Sequence, residues 1–403
     1  MNYPKTYEVA IIGGGIIGTA TALNLLHTKS ITLIVLEAEE KLAAHQTGNN
    51  SGVIHSGIYY KPGSQKAMNC SVGREMMYKF CEVHNIKHER CGKIIVAVNK
   101  NEVPLLNELE LRGRANGLTG LKRLSPEEVK EHEPSVFCIS GLFVPETGII
   151  DYTQVTETYG KNIMSLGGEI KTNCKFISLS KDRNDLVLQT TSGEVRAKFL
   201  VNCAGLHSDR IAKLCGVDPK LQIIPFRGEY YKLKEGSKYL VKNLVYPVPN
   251  PKFPFLGVHF TRMINGIIEA GPNAVLAFKR EGYLKKDFSF HDVSQMLFYP
   301  GFWNMAVKHY KMGIGEFYRS ISKSAFVKSL QKLIPDIDYD DVYYGGSGVR
   351  AQALEPDGKL VDDFRIAEAG KMVHVLNAPS PAATASLSIG KMIAGTIINR
   401  ING

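Results

Sequence analysis

The sequence has no paired cysteines, no long uncharged apolar run and no low-complexity segment. Its seven cysteines are an odd number without a C-x-x-C pair, which predicts reduced thiols in a cytosolic compartment and argues against a disulfide framework or a metal site. No run reaches the roughly eighteen uncharged apolar residues of a membrane-spanning helix, since Lys391 interrupts the C-terminal stretch 382–398. Gly13–Gly15 break the first apolar segment, so it predicts a buried strand and not a signal peptide.

Acidic residues are fewer than basic residues in this chain. The chain has 49 Lys and Arg against 39 Asp and Glu, a formal net charge of +10. This balance favours an anionic substrate, an acidic membrane surface or nucleic acid as partner. Nucleic acid is the weakest of the three, because no helix-turn-helix, zinc-finger or aromatic RNA-binding signature accompanies the charge. The predicted location is the cytoplasm, where peripheral binding to the inner face of the cell membrane is a further expectation.

A nucleotide-binding signature occupies the first forty residues. Thr6–Gly18 read TYEVAIIGGGIIG, a strand followed by the G-x-G-x-x-G spacing that opens a helix. Gly13 allows the tight turn, Gly15 lets a pyrophosphate approach the backbone, and Gly18 lets the helix pack closely on the strand. Glu37 ends the next strand, where it is expected to accept hydrogen bonds from ribose hydroxyls. An acid at this position disfavours NADP, whereas FAD and NAD both remain open.

The rest of the chain alternates between helical and strand patterns. Residues Leu42–Lys61 form a polar, glycine-punctuated loop that is too long for a simple turn, and such loops usually carry function. A strand is predicted at Val187–Val201 and an antiparallel sheet for 223–279. Helices are predicted for 289–334, followed by a strand with a glycine turn at Val342–Val349. The other predicted helices are Ile16–His27, Ser64–Val83, Glu102–Asn116, a capped helix after Ser125, Thr153–Leu166, Ser208–Leu214 and Ala382–Arg400.

Nucleotide-binding elements therefore fall at both ends of the chain and near residue 200. We predict an α/β protein with a discontinuous Rossmann-like nucleotide-binding domain formed by residues 1–85, 145–215 and 340–403. A substrate-binding domain of antiparallel sheet and helices, residues 86–144 and 216–339, is inserted into it. A nicotinamide enzyme would normally continue with regular βα alternation, so the early long loop and the antiparallel insertion favour FAD.

Five segments have sequences that are specific to one family. They are His45–Tyr60 (HQTGNNSGVIHSGIYY), Gly141–Tyr152, Pro225–Tyr231, Gly257–Arg262 and Asn377–Thr384. Together they resemble the L-2-hydroxyglutarate oxidase (dehydrogenase) family, which is of the D-amino-acid oxidase type. The resemblance extends from about Tyr7 to Ile398 and implies FAD as cofactor and oxidation of L-2-hydroxyglutarate, a small anionic dicarboxylate, to 2-oxoglutarate. Asn49 departs from the basic or imidazole side chain expected at its position.

Oxidation of a 2-hydroxy acid requires a hydride acceptor, a base and cationic groups for the carboxylates. His55 and His259 are the candidate bases, and His55 is favoured because its loop is expected to pass over the flavin. Tyr60, Arg227, Arg262 and Arg350 are the candidate substrate ligands, and at least one arginine is expected to recognise the carboxylate farther from the hydroxyl. The residues expected to contact FAD are Gly13, Gly15, Gly18, Glu37, Thr47, Asn50, Ser51, Gly52, Ala204, Gly205, Gly348, Ser380 and Ala382.

Two other interpretations remain open. A related flavoenzyme would oxidise another 2-hydroxy acid, an amino acid or glycerol-3-phosphate, since this fold hosts many substrates. A non-catalytic flavin- or lipid-binding protein would need neither base nor cationic groups.

One further segment bears on the electron acceptor. Residues Phe302–Leu333 interleave apolar and basic residues, a pattern that fits either an anionic bilayer surface near a quinone or helices with a solvated basic face.

Overall fold

A computed structural model of the chain describes residues 5–249 and 257–403, so the predicted sheet segment 250–256 lies outside the described residues. The strands are β1 Thr6–Ile12, β2 Leu33–Leu36, β3 Val53–Ile54, β4 His88–Glu89, β5 Lys93–Ala97, β6 Lys122–Leu124, β7 Ser140–Val144, β8 Gly148–Ile150, β9 Glu169–Lys171, β10 Phe176–Asp182, β11 Asp185–Thr190, β12 Gly193–Asn202, β13 Gln222–Leu233, β14 Leu244–Pro247, β15 His259–Arg262, β16 Ile268–Gly271, β17 Val275–Leu276, β18 Val342–Leu354, β19 Arg365–Ala369 and β20 Met372–Asn377.

The α-helices of the described residues are α1 Ile16–Thr28, α2 Gln65–Val83, α3 Val103–Ala115, α4 Pro126–His132, α5 Tyr152–Ser165, α6 Ser208–Leu214, α7 Phe290–Leu297, α8 Pro300–Ile321, α9 Lys323–Leu330 and α10 Ser386–Asn402. Short 3₁₀ turns lie at Lys100–Glu102, Gly205–His207, Glu235–Leu240 and Tyr339–Asp341.

The first sheet brings the two ends of the chain together. Within the described residues it has eight strands, and β1 pairs in parallel with β2 on one side and β12 on the other. Strand β20 pairs in parallel with the end of β12. Helix α1 packs against α10 and α5. The carboxyl ends of β1, β2 and β12 therefore meet at one edge, where a nucleotide binds in α/β sheets of this kind.

The second sheet is mainly antiparallel and has nine strands over the described residues. Strand β13 pairs along its whole length with β18 and also with β16 and β17. Strand β5 joins the sheet between β14 and β7. A small third sheet contains β3, β8 and β4, in the order β3-β8-β4. Strands β1, β2 and β12 and helix α1 confirm the predicted α/β class. The second sheet confirms that residues of the predicted region 223–279 form antiparallel strands.

Local sequence signals locate several helix ends correctly. Ser64 caps α2 by accepting a hydrogen bond from the Ala67 amide. Ser125 and Glu128 form the predicted capping box of α4, with Pro126 at the first helical position. These side chains satisfy amide groups that the first helical turn cannot pair internally.

Three local predictions are wrong. The predicted glycine turn at Val342–Val349 is the continuous strand β18, because twelve of its residues pair with β13. The segment Val187–Val201 is not one strand but the antiparallel pair β11 and β12. The last helix begins at Ser386 and not at Ala382, whose amide donates instead to the Pro379 carbonyl in the preceding turn.

The described helices include none that is long and apolar enough to cross a bilayer. The largest buried cluster of apolar side chains lies between the first sheet and helices α1, α2, α5 and α10. All seven cysteines are free, in agreement with the predicted reduced state, and all but Cys91 are buried.

Candidate active site

The three glycines of the signature differ in what surrounds them. A Cβ on Gly13 would lie 2.4 Å from the Cys203 carbonyl oxygen, and one on Gly18 would lie 2.0 Å from the Gly13 carbonyl oxygen. Packing within the protein therefore requires both. A Cβ on Gly15 would contact only Thr47 Oγ1, at 3.3 Å, among the described atoms. Because the protein itself leaves space at Gly15, the residues fit a pyrophosphate at the N-terminus of α1.

Glu37 and Thr47 hold this corner of the sheet. Glu37 is buried, and its Oε2 accepts from the Gly14 amide at 2.6 Å while Oε1 accepts from the Glu39 amide at 2.9 Å. Thr47 Oγ1 accepts from the Ile16 amide at 3.1 Å. Each Glu37 oxygen keeps a second lone pair, so these bonds are compatible with the proposed contact to ribose hydroxyls.

The loop that follows packs against several predicted cofactor residues. Asn50 stabilises it, since its amide donates to the Thr47 carbonyl at 2.6 Å and its Oδ1 accepts from the Gly52 amide at 2.8 Å. A Cβ on Gly348 would lie 2.4 Å from the Asn49 carbonyl oxygen. The close approach that requires glycine at 348 is therefore to this loop.

A turn from the C-terminal part of the chain, which contains Thr384, contacts the loop that contains His55. The Thr384 hydroxyl accepts from the His55 amide at 3.0 Å and lies 2.9 Å from the Tyr152 hydroxyl. Thr384 belongs to the turn before α10 that also contains Ser380 and Ala382. Ala204 and Gly205, which follow β12, lie against Gly13 and Gln46 respectively. We propose that these turns line the cofactor cleft.

Both candidate bases are neutral imidazoles. Burial, with smaller contributions from Lys93 and from His259, lowers the pKa of His55 to about 3. Burial likewise lowers the pKa of His259 to about 3. His259 Nδ1 lies 2.9 Å from the Gly257 carbonyl oxygen, which can only accept, so Nδ1 carries the proton and Nε2 keeps its lone pair. Both rings are therefore uncharged at neutral pH, and each keeps one unprotonated ring nitrogen.

The structure places near the candidate bases a buried lysine, Lys93, that the sequence analysis did not identify. Lys93 is 1% exposed, and its Nζ lies 4.4 Å from the Tyr59 ring centroid and 4.8 Å from the Tyr246 ring centroid. The Tyr246 ring in turn packs on His259, with centroids 4.0 Å apart. The sequence signal that could have identified Lys93 is its position at the start of an otherwise apolar strand, KIIVA, all of whose residues are buried in the structure.

The three candidate arginines have different surroundings. Arg227 is buried and bonds to the Glu229 carboxylate at 2.9 Å. Arg262 Nη2 bonds to Glu89 at 2.5 Å and to Asn243 Oδ1 at 3.0 Å. Carboxylates of the protein thus already engage Arg227 and Arg262. Arg350 is close enough to His259 to lower its pKa. Because Arg350 lies near a candidate base, we propose it as a substrate ligand.

Tyr60 lies at the end of the loop that contains His55, and burial raises the pKa of its hydroxyl well above the ordinary value. It is therefore a neutral donor that stays in the proposed set of substrate ligands.

One cluster within the described residues offers metal-ligating atoms. His45 Nε2 lies 3.1 Å from Glu39 Oε1 and 3.7 Å from Glu281 Oε1. Glu281 also bonds to His207 at 2.7 Å. These side chains form ion pairs and hydrogen bonds with one another, so a bound ion is not needed to explain their arrangement.

The fold and the site define a class of flavoenzyme. Residues 8–396 match the family described as FAD dependent oxidoreductase (DAO). The chain belongs to this family. FAD is its cofactor, which agrees with the sequence prediction and with the free space at Gly15.

Curated relatives narrow the assignment. An L-2-hydroxyglutarate dehydrogenase from Indibacter alkaliphilus is 50% identical over 396 residues, 98% of this chain and 99% of the relative. The mitochondrial L-2-hydroxyglutarate dehydrogenase of Homo sapiens is 45% identical, with 98% and 89% covered. That of Escherichia coli K12 is 43% identical, with 97% and 93% covered. Within the flavoenzyme family, the chain therefore belongs with the L-2-hydroxyglutarate dehydrogenases.

Solved structures support the fold. A dithionite-reduced L-alpha-glycerophosphate oxidase from Mycoplasma pneumoniae with FAD bound superposes with a TM-score of 0.80 at 23% identity, covering 99% of this chain and 95% of the other. A glycine oxidase from Geobacillus kaustophilus gives a TM-score of 0.71 at 16% identity, covering 98% and 95%. At these identities the likeness concerns the fold alone.

Proposed function

We propose that the protein catalyses the FAD-dependent oxidation of L-2-hydroxyglutarate to 2-oxoglutarate. The observation that carries the proposal is 43–50% identity to dehydrogenases of this name over nearly the whole chain. The substrate is a small anionic dicarboxylate, which agrees with the chain's net charge of +10. When bound, FAD accepts the hydride from C2 of the substrate.

The chain's own residues supply the remaining chemistry. His55 is the proposed base for the hydroxyl proton, because its imidazole is neutral and its backbone is fixed by Thr384. His259 has one ring nitrogen fixed by the Gly257 carbonyl, so it orients the substrate hydroxyl or serves as the second candidate base. Arg350 is proposed to bind a carboxylate, since a guanidinium can form two parallel hydrogen bonds with it.

Parallel anaerobic reductions test this function against its closest alternatives. L-2-Hydroxyglutarate is expected to bleach the flavin absorbance, whereas a D-amino acid, sarcosine and glycerol-3-phosphate are expected to leave it oxidised. Faster bleaching by any of the last three would assign the protein to another flavoenzyme. Oxidised flavin with every substrate, in a preparation fully loaded with FAD, would instead favour the non-catalytic interpretation.

We further propose that the protein works at an anionic membrane surface, where a quinone can accept the electrons. Helix α8 carries an exposed apolar stripe at helical spacing, on a face separate from the one that it buries through Phe302 and Met305. Lysines Lys308 and Lys311 flank the stripe, and Lys285 bonds to the carbonyl of Ser320 near the helix end. The stripe consists of Trp303, Val307, Tyr310, Ile314, Tyr318 and Ile321, which are 54–82% exposed.

Such a face fits the boundary between headgroups and acyl chains, with lysines that attract anionic lipid. The alternative is a solvated face of the substrate domain. A cytoplasmic protein bound to the inner face of the cell membrane would satisfy both parts of the location that the sequence predicts.

Cosedimentation with lipid vesicles distinguishes the two. The protein is expected to bind vesicles that contain phosphatidylglycerol but not pure phosphatidylcholine, and added salt should weaken binding. A double substitution, Val307→Glu with Ile314→Glu, should lower binding by at least about tenfold, because each side chain contributes on the order of 1.5–3 kcal/mol when fully buried.

Leu111→Glu, at a 69% exposed position of α3, serves as the matched control and should bind vesicles normally. Equal absence from both kinds of vesicle would refute the membrane proposal, as would binding that survives the double substitution.

A further inference from the structure

Lys93 has an environment unlike that of any other buried basic side chain among the described residues. It starts strand β5, opposite Val144 of β7, and its side chain passes between two aromatic rings. Its ammonium group is fully buried and has no hydrogen-bond partner in the described part of the chain. The hydroxyl of Tyr59, whose ring lies next to the ammonium, is also buried without a described partner. Two hydrogen-bond donors are thus left unsatisfied at one place.

The contrast with the other buried cations is direct. Within the described ranges, four further lysine or arginine side chains are at most 9% exposed, and a carboxylate bonds to each of them. These ion pairs are Lys66 with Asp362, Arg74 with Glu75, Arg227 with Glu229 and Arg280 with Asp209. A buried charge without a partner costs several kcal/mol of stability in general. The fold therefore keeps Lys93 at a cost, and a function at the active site would explain why.

Within the part of the chain that the structure describes, the groups that face Lys93 do not include a carboxylate. They come from the loop before α2, from α2 itself, and from β14 and β15, and are His55, Tyr59, Cys70, Tyr246 and His259. Arg350, beyond His259, adds further positive potential. Burial lowers the pKa of the Lys93 ammonium to about 7, and the nearby Cys70 raises it slightly. Among the described residues, the groups around the Lys93 ammonium thus supply no carboxylate as its counter-charge.

We propose that Lys93 binds one carboxylate of the dicarboxylate substrate and product, with the Tyr59 hydroxyl as a second donor. This inference rests on the proposed function. A dicarboxylate has two negative groups, and Lys93 and Arg350 supply two cations beside the two candidate bases. The bound carboxylate gives the ammonium the partner that the protein does not provide.

Proton linkage provides a readout that a merely structural lysine would not change. The free site loses the ammonium proton as the pH rises through about 7, whereas a bound carboxylate raises the pKa of Lys93. Binding of 2-oxoglutarate above pH 7 should therefore take up a proton, and the affinity should fall by about tenfold per pH unit. Calorimetry of the oxidised holoenzyme in buffers of different ionisation enthalpy measures this uptake.

Two variants and a control test the role. Lys93→Met is expected to weaken 2-oxoglutarate binding by roughly 10- to 100-fold and to abolish the proton uptake. It should unfold at a temperature no lower than the wild type, because it removes an unpaired buried charge. Lys93→Arg should restore part of the affinity and make it independent of pH between 7 and 9, since arginine stays charged. Lys198→Met, at an exposed position of β12, should behave as the wild type.

The inference fails if Lys93→Met binds 2-oxoglutarate as tightly as the wild type with the same proton uptake. If Lys93→Met does not retain flavin, Lys93→Arg provides the test. The inference is then overturned if 2-oxoglutarate binding by Lys93→Arg depends on pH as it does in the wild type. The proposed function fails separately if L-2-hydroxyglutarate does not reduce the wild-type flavin. Tight dicarboxylate binding that still depends on Lys93 would then support this inference while removing the proposed reaction.

Discussion

His55→Ala is expected to lower the rate of flavin reduction at saturating L-2-hydroxyglutarate by about 10²- to 10⁴-fold, the usual contribution of a positioned base. The imidazole is buried beside Lys93 and His259, and burial lowers its pKa to about 3. A depressed histidine pKa keeps the ring neutral above that value, so the lone pair that accepts a proton is present throughout pH 5–9. Rapid mixing under anaerobic conditions, which isolates the reductive step, measures the rate.

The matched comparison is His259→Ala, because both rings are neutral and burial lowers the pKa of each. We expect the loss at His259 to be smaller and to affect the substrate concentration for half-maximal rate as well as the rate itself. His207→Ala, whose ring bonds to Glu281 away from these two histidines, should leave the rate unchanged. A larger loss at His259 than at His55 would transfer the role of base to His259.

Gly15→Val is expected to yield a folded but colourless protein. The added side chain would occupy the space that the protein leaves open at the N-terminus of α1, where only Thr47 Oγ1 lies within 4 Å of the added Cβ. That space is where the pyrophosphate of FAD approaches the backbone. The absorbance ratio at 450 and 280 nm, together with FAD released on denaturation, measures the loss, while circular dichroism verifies the fold.

Gly395→Val is the control, because it places the same side chain at a glycine of the last helix whose Cβ would have no described neighbour within 4 Å. It should keep its flavin. Full FAD content in Gly15→Val would contradict the proposed pyrophosphate position, and recovery of bound NAD without flavin from the wild type would refute the cofactor itself.

The nucleotide-binding unit could be predicted because its signals are local. The glycine spacing after β1 and the acid at Glu37 depend on neighbours within a few residues or one βαβ unit. The strand β18 could not be predicted in the same way. Gly345–Gly348 suggest a turn by composition, but pairing with β13, more than a hundred residues away, holds them in a strand.

The active site shows the same limit. Three arginines look equivalent in the sequence, yet Glu229 engages Arg227 and Glu89, 173 residues away, engages Arg262. Lys93 differs from these two arginines, because the fold places no carboxylate of the described residues within hydrogen-bond distance of its ammonium group. Sequence patterns thus predict the types of residue that the chemistry requires, whereas their state of pairing depends on contacts between distant segments.

The hydrogen bond from the His55 amide to Thr384 joins positions 329 residues apart. Helix α1 packs on α10 so closely that a Cβ on Gly390 would lie 2.7 Å from the Ala20 backbone. During synthesis, the first βαβ unit therefore leaves the ribosome without the helix that covers it, and the proposed base has no fixed orientation until residue 384 has been added. A nascent chain therefore lacks this hydrogen bond, and the contact between α1 and α10, until residues 384–402 have been made.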